Sequence, residues 1–229
     1  MNITTDYIPA GRRNRPATNP ASSLYKKPMA AKYLTIHNAG SDAPAERLHR
    51  YLISIGAANR PASWHFSIDE KDCYQGLPLN EPGFHAGDNL GPGNTTTIGI
   101  EICDYAIRAG NTRLYMQAED NAARLCAWLI KQLPSLHPFP QCMKQHFDWS
   151  GKNCPSWIRG RANGWQEFIS KVEEYLKVAD DTKPIDPNLY YRVIIGSYRQ
   201  RANADRALAE AKAKGFDNAF IVAFRRDSK

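Results

Sequence analysis

The sequence predicts an α/β domain with a mixed central sheet flanked by helices, followed by a small C-terminal βαβ domain. Three observations carry this. Short apolar strands alternate with helical periodicities as far as residue 177. A polar, proline-bearing stretch then breaks the pattern, and one strand–helix–strand repeat follows it. Residues 32–37, KYLTIH, are a buried strand ending on His37. Ser41 is placed to cap a helix carrying Leu48, Tyr51, Leu52 and Ile55 on one face and stopped at Gly56. WHFSID, residues 64–69, is a second strand, and residues 76–96, rich in Gly, Pro, Asn and Thr, are mostly loop. IGIEIC, residues 98–103, is a third strand. Ala118, Ala122, Leu125, Leu129 and Leu133 recur at helical spacing until Pro134, which lacks the N–H that another turn needs. Trp165, Phe168, Ile169, Val172 and Leu176 mark the last helix of a domain expected to span residues 1–177.

Residues 178–188 read as a linker, being polar and without periodicity. The second domain, residues 189–229, holds YYRVIIGSY as a strand, a helix capped by Asn203 and stopped by Gly215, and AFIVAF as a returning strand. Two strands and one helix bury little apolar area. The unit is therefore expected to dock, or to form a homodimer through a copy of itself.

Bulk properties narrow the functions available. The chain has 229 residues, 42% hydrophobic and 23% charged, which is ordinary for a globular protein. No run of eighteen apolar residues occurs, and the N-terminus lacks an apolar core of signal-peptide length. Stable membrane insertion is not expected, nor export by a signal of its own. The net charge of +7 asks for an anionic partner such as nucleic acid, a membrane surface or an anionic cell wall. Residues 190–229 carry nine Lys/Arg against four Asp/Glu, but scattered, which argues against a nucleic-acid binder. Five cysteines at irregular spacing make no disulfide framework, and Cys103 and Cys126 sit among apolar residues as core.

The segment with the most chemistry is HFDWSGKNCP, residues 146–155. His146 and Cys154 are both good zinc ligands, and a catalytic zinc site uses three protein ligands with a fourth position left for water. His37, at the end of its strand, is the leading third ligand. Taken alone, this His–Cys spacing fits no standard finger, and a core cysteine near a surface histidine is the simpler explanation.

Together, His37 in YLTIHNAG, the SWHFSID strand, the FHAGD and IGIEIC stretches and HFDWSGKNCP resemble the type-2 N-acetylmuramoyl-L-alanine amidases. That family includes phage and prophage endolysins and the peptidoglycan-recognition proteins. The resemblance covers about residues 25–175, and H-x5-K-x-C is its most diagnostic spacing. It implies Zn2+ held by His37, His146 and Cys154, and hydrolysis of the amide between N-acetylmuramic acid and L-alanine in peptidoglycan. It implies catalytic roles for Glu101, as proton carrier, and for Lys152, as stabiliser of the developing oxyanion. Trp64 departs from the pattern. Catalytic relatives of the phage-lysozyme kind carry a tyrosine there, so a tyrosine-assisted mechanism is not expected. Trp64, His65 and His85 are the substrate-side candidates, His85 from a loop resembling the rim of a substrate groove and His65 more for support of the fold. His49 and His137 are expected at the surface.

The C-terminal unit resembles the SPOR repeat through YRVIIGSYRQRANADRALAEAKAKGFDNAFIV, and such repeats bind glycan strands of peptidoglycan. The whole reads as a phage or prophage endolysin or an autolysin, made in the cytoplasm and reaching the wall through a pore protein or at lysis. The rival reading is a non-catalytic peptidoglycan-binding receptor of the same fold. Binders of that kind commonly lack the metal cysteine, which is present here as Cys154.

Overall fold

Apolar and polar side chains alternate along YLTIHN and TIGIEI, and the fold uses that alternation to give one sheet two different faces. In a computed structural model describing residues 2–54, 60–177, 198, 200–214, 219–221 and 223, six strands form a single sheet in the order β1-β4-β3-β5-β2-β6. They are β1 (Ile3–Thr5), β2 (Tyr33–Asn38), β3 (Phe66–Ile68), β4 (Cys73–Gln75), β5 (Thr97–Ile102) and β6 (Met143–Gln145). Only β3 and β4 pair antiparallel, so the sheet is mixed, as expected. Because successive side chains point to opposite faces, Leu34, Ile36, Phe66, Ile68, Ile98, Ile100 and Ile102 meet in one apolar core. The other face carries Thr35, His37, Ser67, Thr97, Gly99 and Glu101.

The helices are α1 (Ala45–Ile53), α2 (Pro92–Thr95), α3 (Tyr105–Arg108), α4 (Thr112–Gln132), α5 (Phe147–Ser150), α6 (Ser156–Arg159), α7 (Gly164–Lys177) and α8 (Arg201–Ala213), with a 3-10 turn at Pro16–Thr18. The Asn111 side chain caps α4 by accepting from Leu114 N–H, and the helix runs to the residue before Leu133. Its buried face of Tyr115, Ala118, Ala122, Leu125, Cys126 and Leu129 covers the apolar side of the sheet. Phe168, Ile169 and Val172 of α7 join the same core. All five cysteines are free and buried.

Several expectations need correction. Ser41 does not cap α1; its hydroxyl accepts from Ala43 N–H, and the helix begins at Ala45 behind Pro44. Ile55 and Gly56 lie outside the described residues. His49 is buried, stacked on Tyr74 with its Nε2 3.2 Å from Asp6 Oδ2, because it shares the inward face of α1 with Ala45, Leu48 and Leu52.

The chain divides into two units, Met1–Ala179 and Asp180–Lys229. In the second, Asn203 lies inside α8 rather than capping it: the helix starts at Arg201 behind Gln200, three residues before the cap expected. The linker, Gly215 and nearly all of the first expected strand lie outside the described residues, and the described part of AFIVAF, residues 219–221 and 223, is not in a strand. Among the described residues no helix is long and apolar enough to cross a membrane.

Candidate metal centre

His37 stands one residue from the end of β2, on the polar face of the sheet. The adjacent strand β6 ends at Gln145, and His146 follows directly. Its N–H bonds to Ile36 O at 3.2 Å, which stitches it to the strand that carries His37. The chain then makes the short helix α5, turns at Gly151 in the left-handed region (φ 75°) and returns to Cys154. That return is fixed at both ends: Phe147 N–H bonds to Cys154 O at 3.0 Å, and Asn38 N–H points at Cys154 Sγ at 3.4 Å.

The loop thus delivers two ligand atoms to the one that His37 offers from β2. His37 Nδ1 lies 3.0 Å from His146 Nδ1 and 4.0 Å from Cys154 Sγ, and the three atoms are all within 4.8 Å of one another. Ligands at about 2.0–2.3 Å from a tetrahedral ion stand roughly 3.3–3.7 Å apart, so the observed spread brackets what one ion requires. All three residues are buried.

Glu101 is brought to the same point by strand register, since it sits opposite His37 across the β2–β5 pair. Its Oε1 is 3.9 Å from His37 Nδ1, and its buried Oε2 has no hydrogen-bond partner among the described residues. A buried acceptor without a donor is costly, and it marks the place where a polar guest would be held.

Burial sets the charge states. It holds His37 well below the ordinary imidazole value, with His85, His146 and Lys152 adding to the effect. His146 is pushed down to about 4, first by burial and then by Lys152. Both rings are therefore neutral near pH 7, the form that binds metals. Burial pushes the Cys154 thiol up to about 12, with Glu101 adding to it. An empty site therefore holds a protonated thiol, and cation binding would have to release that proton. The Glu101 carboxyl is raised to about 8 by burial, while Lys152 pulls it down and Asp104 pushes it up. Lys152 itself is exposed, and it acts on His37, His146, Glu101 and Cys154 through its charge.

The substrate-side candidates fall elsewhere. His65 is fully buried: its Nδ1 accepts from Gly99 N–H at 3.0 Å and its Nε2 faces Glu81 O at 2.9 Å, so the ring pins β5 to a loop. Trp64 is half-buried against two small apolar clusters, and its Nε1–H donates to Ser67 Oγ at 2.8 Å. His85, expected at a groove rim, is buried beneath His37, with its Nδ1 3.0 Å from His37 Nε2. Gly87, two residues on, stands beside His146 instead: a Cβ there would lie 3.5 Å from His146 Nε2. Gly87 also lines a cavity of about 410 Å³ with Pro61, Phe84 and Leu90.

Two supporting residues were not legible in the sequence. Asn38 accepts from Trp157 N–H and donates to Tyr115 Oη, and Asp104 accepts from Ser41 N–H and Trp157 Nε1–H. Together they tie the Cys154 loop to the end of the sheet. Asp104 directly follows the IGIEIC strand, which was the one available signal.

The profile of the N-acetylmuramoyl-L-alanine amidase family matches residues 27–157, and that of the SPOR domain matches residues 164–228. The amidase match contains all three ligand candidates. The SPOR match begins on α7, which packs into the core of the first unit. N-acetylmuramoyl-L-alanine amidase XlyA of Bacillus subtilis is 39% identical over 178 residues, 75% of this chain and 51% of the relative. CwlH, an amidase of the same name and organism, is 33% identical over 189 residues, covering 82% of this chain and 67% of its own. The chain thus spans between half and two thirds of the length of these relatives. The solved catalytic domain of XlyA superposes with a TM-score of 0.62 at 34% identity, over 75% of this chain and 99% of that domain. The structure of PlyL gives the same TM-score at 31% identity, over 75% of this chain and 97% of PlyL.

Proposed function

The chain belongs to the N-acetylmuramoyl-L-alanine amidase family, and from that membership we propose that it is a zinc-dependent hydrolase of the amide between N-acetylmuramic acid and L-alanine in peptidoglycan. The observation that carries the reading is the convergence of His37 Nδ1, His146 Nδ1 and Cys154 Sγ within 4.8 Å, beside a carboxyl oxygen without a partner. Two imidazoles and a thiol are the donor set of a borderline-soft ion with a position left open. A zinc ion there supplies Lewis acidity, bringing the pKa of a water toward neutrality and polarising the scissile carbonyl.

Each residue then has a task. His37, His146 and Cys154 hold the ion. Glu101, with Oε2 free, accepts the proton of the attacking water and returns it to the leaving amine of L-alanine. One carboxyl can do both because its Oε2 is committed to no other partner among the described residues. Lys152 brings positive charge to the oxygen on which negative charge develops. Trp64 has no ionisable hydroxyl, so Glu101 alone carries the proton. The groove beside Gly87 is the place for the glycan or its stem peptide. The SPOR match supports glycan binding by the C-terminal unit, which would keep the enzyme on its polymer.

Mass spectrometry of digested cell walls tests this. New N-terminal L-alanine and free lactyl carboxylate should appear with zinc present and vanish with a chelator. Glu101→Gln should retain zinc while losing about 10²- to 10⁴-fold in turnover. Cleavage at a glycosidic or peptide bond, or full turnover by Glu101→Gln, contradicts the assignment.

A further inference from the structure

His37 presents Nδ1 to the candidate metal centre and Nε2 to His85, so the direction of that second hydrogen bond decides whether Nδ1 has a lone pair to give. The structure carries a chain of partners that settles it. His37 Nε2 is 3.0 Å from His85 Nδ1, and His85 Nε2 is 3.4 Å from Thr97 Oγ1. The Thr97 hydroxyl in turn donates to the backbone carbonyl of Gly93 at 2.5 Å. A carbonyl only accepts. The hydroxyl therefore has its proton committed to Gly93, and its lone pairs must accept. One takes the hydroxyl proton of Thr35, 3.0 Å away, and the other faces His85 Nε2. Read back along the chain, His85 carries its proton on Nε2 and accepts on Nδ1, and His37 donates from Nε2. The Nδ1 lone pair of His37 is then free for a cation.

A second feature shows that the chain is built into the fold. His85 lies flat against β5 at Gly99, where any Cβ would come within 2.8–2.9 Å of three atoms of the imidazole ring. Gly99 has no positive φ and sits mid-strand, where glycine weakens a strand. The close approach of the ring is what the missing side chain permits.

We infer that His85 is a positioning residue for the metal centre, fixing the tautomer and ring orientation of His37 through a proton-donor chain that ends on the Gly93 carbonyl, with Gly99 making room for it. The inference rests on the metal-site reading above. Partners of this kind contribute about 10–100-fold to metal affinity in other proteins.

The test measures the zinc affinity of the full chain by competition with a chromophoric chelator, together with the His37 tautomer from ring-nitrogen NMR of the metal-free protein. Wild-type protein that fails to bind zinc at all defeats the metal-site reading and not this inference alone. Given wild-type binding, His85→Ala and Gly99→Ala should each weaken zinc about 10–100-fold, and His37 should lose its fixed Nε2–H form. Thr97→Val keeps the shape of the site while removing the acceptor, and should shift affinity the same way by several-fold. Glutamine at position 85 can still accept from His37, so His85→Gln should recover part of the loss. Unfolding of each metal-free variant reports whether the fold persists. A folded His85→Ala with wild-type affinity and an unchanged His37 tautomer overturns the inference. Should that variant not fold, an unchanged affinity in folded Thr97→Val overturns it equally.

Discussion

At the level of single residues, burial explains both what the histidines can do and how much of the site the sequence disclosed. His37, His146 and Cys154 are singled out by the resemblance that their motifs carry, since the His–Cys spacing alone fits no standard finger. His85 is singled out only as a groove-rim candidate, and its place beneath His37 was not legible, because it lies in a Gly- and Pro-rich loop without periodicity. What buries it is a non-local contact with Gly99, and no local signal encodes that. His65 gives a clean pH prediction, since both ring nitrogens are committed and its pKa is held down to about 4, chiefly by burial. Its folded pKa is below the unfolded value, so the unfolded chain binds the proton more readily between the two. The stability it contributes is fully present above about pH 6.5 and is lost as pH falls toward 4, about 3 kcal/mol in total. A ring-carbon NMR titration of the folded protein should show His65 neutral at pH 5; a midpoint near 6.5 would contradict the assignment.

At the level of elements, the long strands and helices were readable, and of the four three-residue strands only Phe66–Ile68 was. Tyr33–Asn38 and Thr97–Ile102 are each six residues long, with Leu34 and Ile36 in the first and Ile98, Ile100 and Ile102 in the second at alternate positions, which is long enough for a period to register. Ile3–Thr5, Cys73–Gln75 and Met143–Gln145 have three residues each, and only the neighbouring strand makes them strands. The last of these matters most, because it delivers His146. Helix α4 buries Glu119 completely, paired with Arg161 through two hydrogen bonds of 2.8 and 2.9 Å and with Lys171 at 3.4 Å. Removing one partner of a buried pair leaves a charge uncompensated. Arg161→Met should lower unfolding free energy by about 3 kcal/mol, read from urea midpoints, with Lys171 keeping the loss from being larger. A change below about 0.5 kcal/mol would show that the pair adds nothing to the packing of α4, α6 and α7.

For the molecule as a whole, the candidate site and most of the positive charge fall in different units. Most of the positive excess lies in residues 190–229, outside the unit that holds His37, His146 and Cys154. Holding an enzyme on its polymer raises the effective concentration of cleavable bonds without any new contact at the site. Removing residues 180–229 should therefore weaken wall binding, measured by co-sedimentation with sacculi, while cleavage of small muropeptides stays within about twofold of the full chain. Loss of small-substrate cleavage would make the tail part of the catalytic fold. The central claim, that two imidazoles and one thiolate hold a single zinc ion, is tested most directly by zinc-edge X-ray absorption on the 229-residue chain loaded with one equivalent. The account predicts one sulfur at about 2.3 Å and nitrogen or oxygen ligands at about 2.0–2.1 Å, with the sulfur shell absent in Cys154→Ser. A wild-type spectrum without a sulfur shell would contradict it.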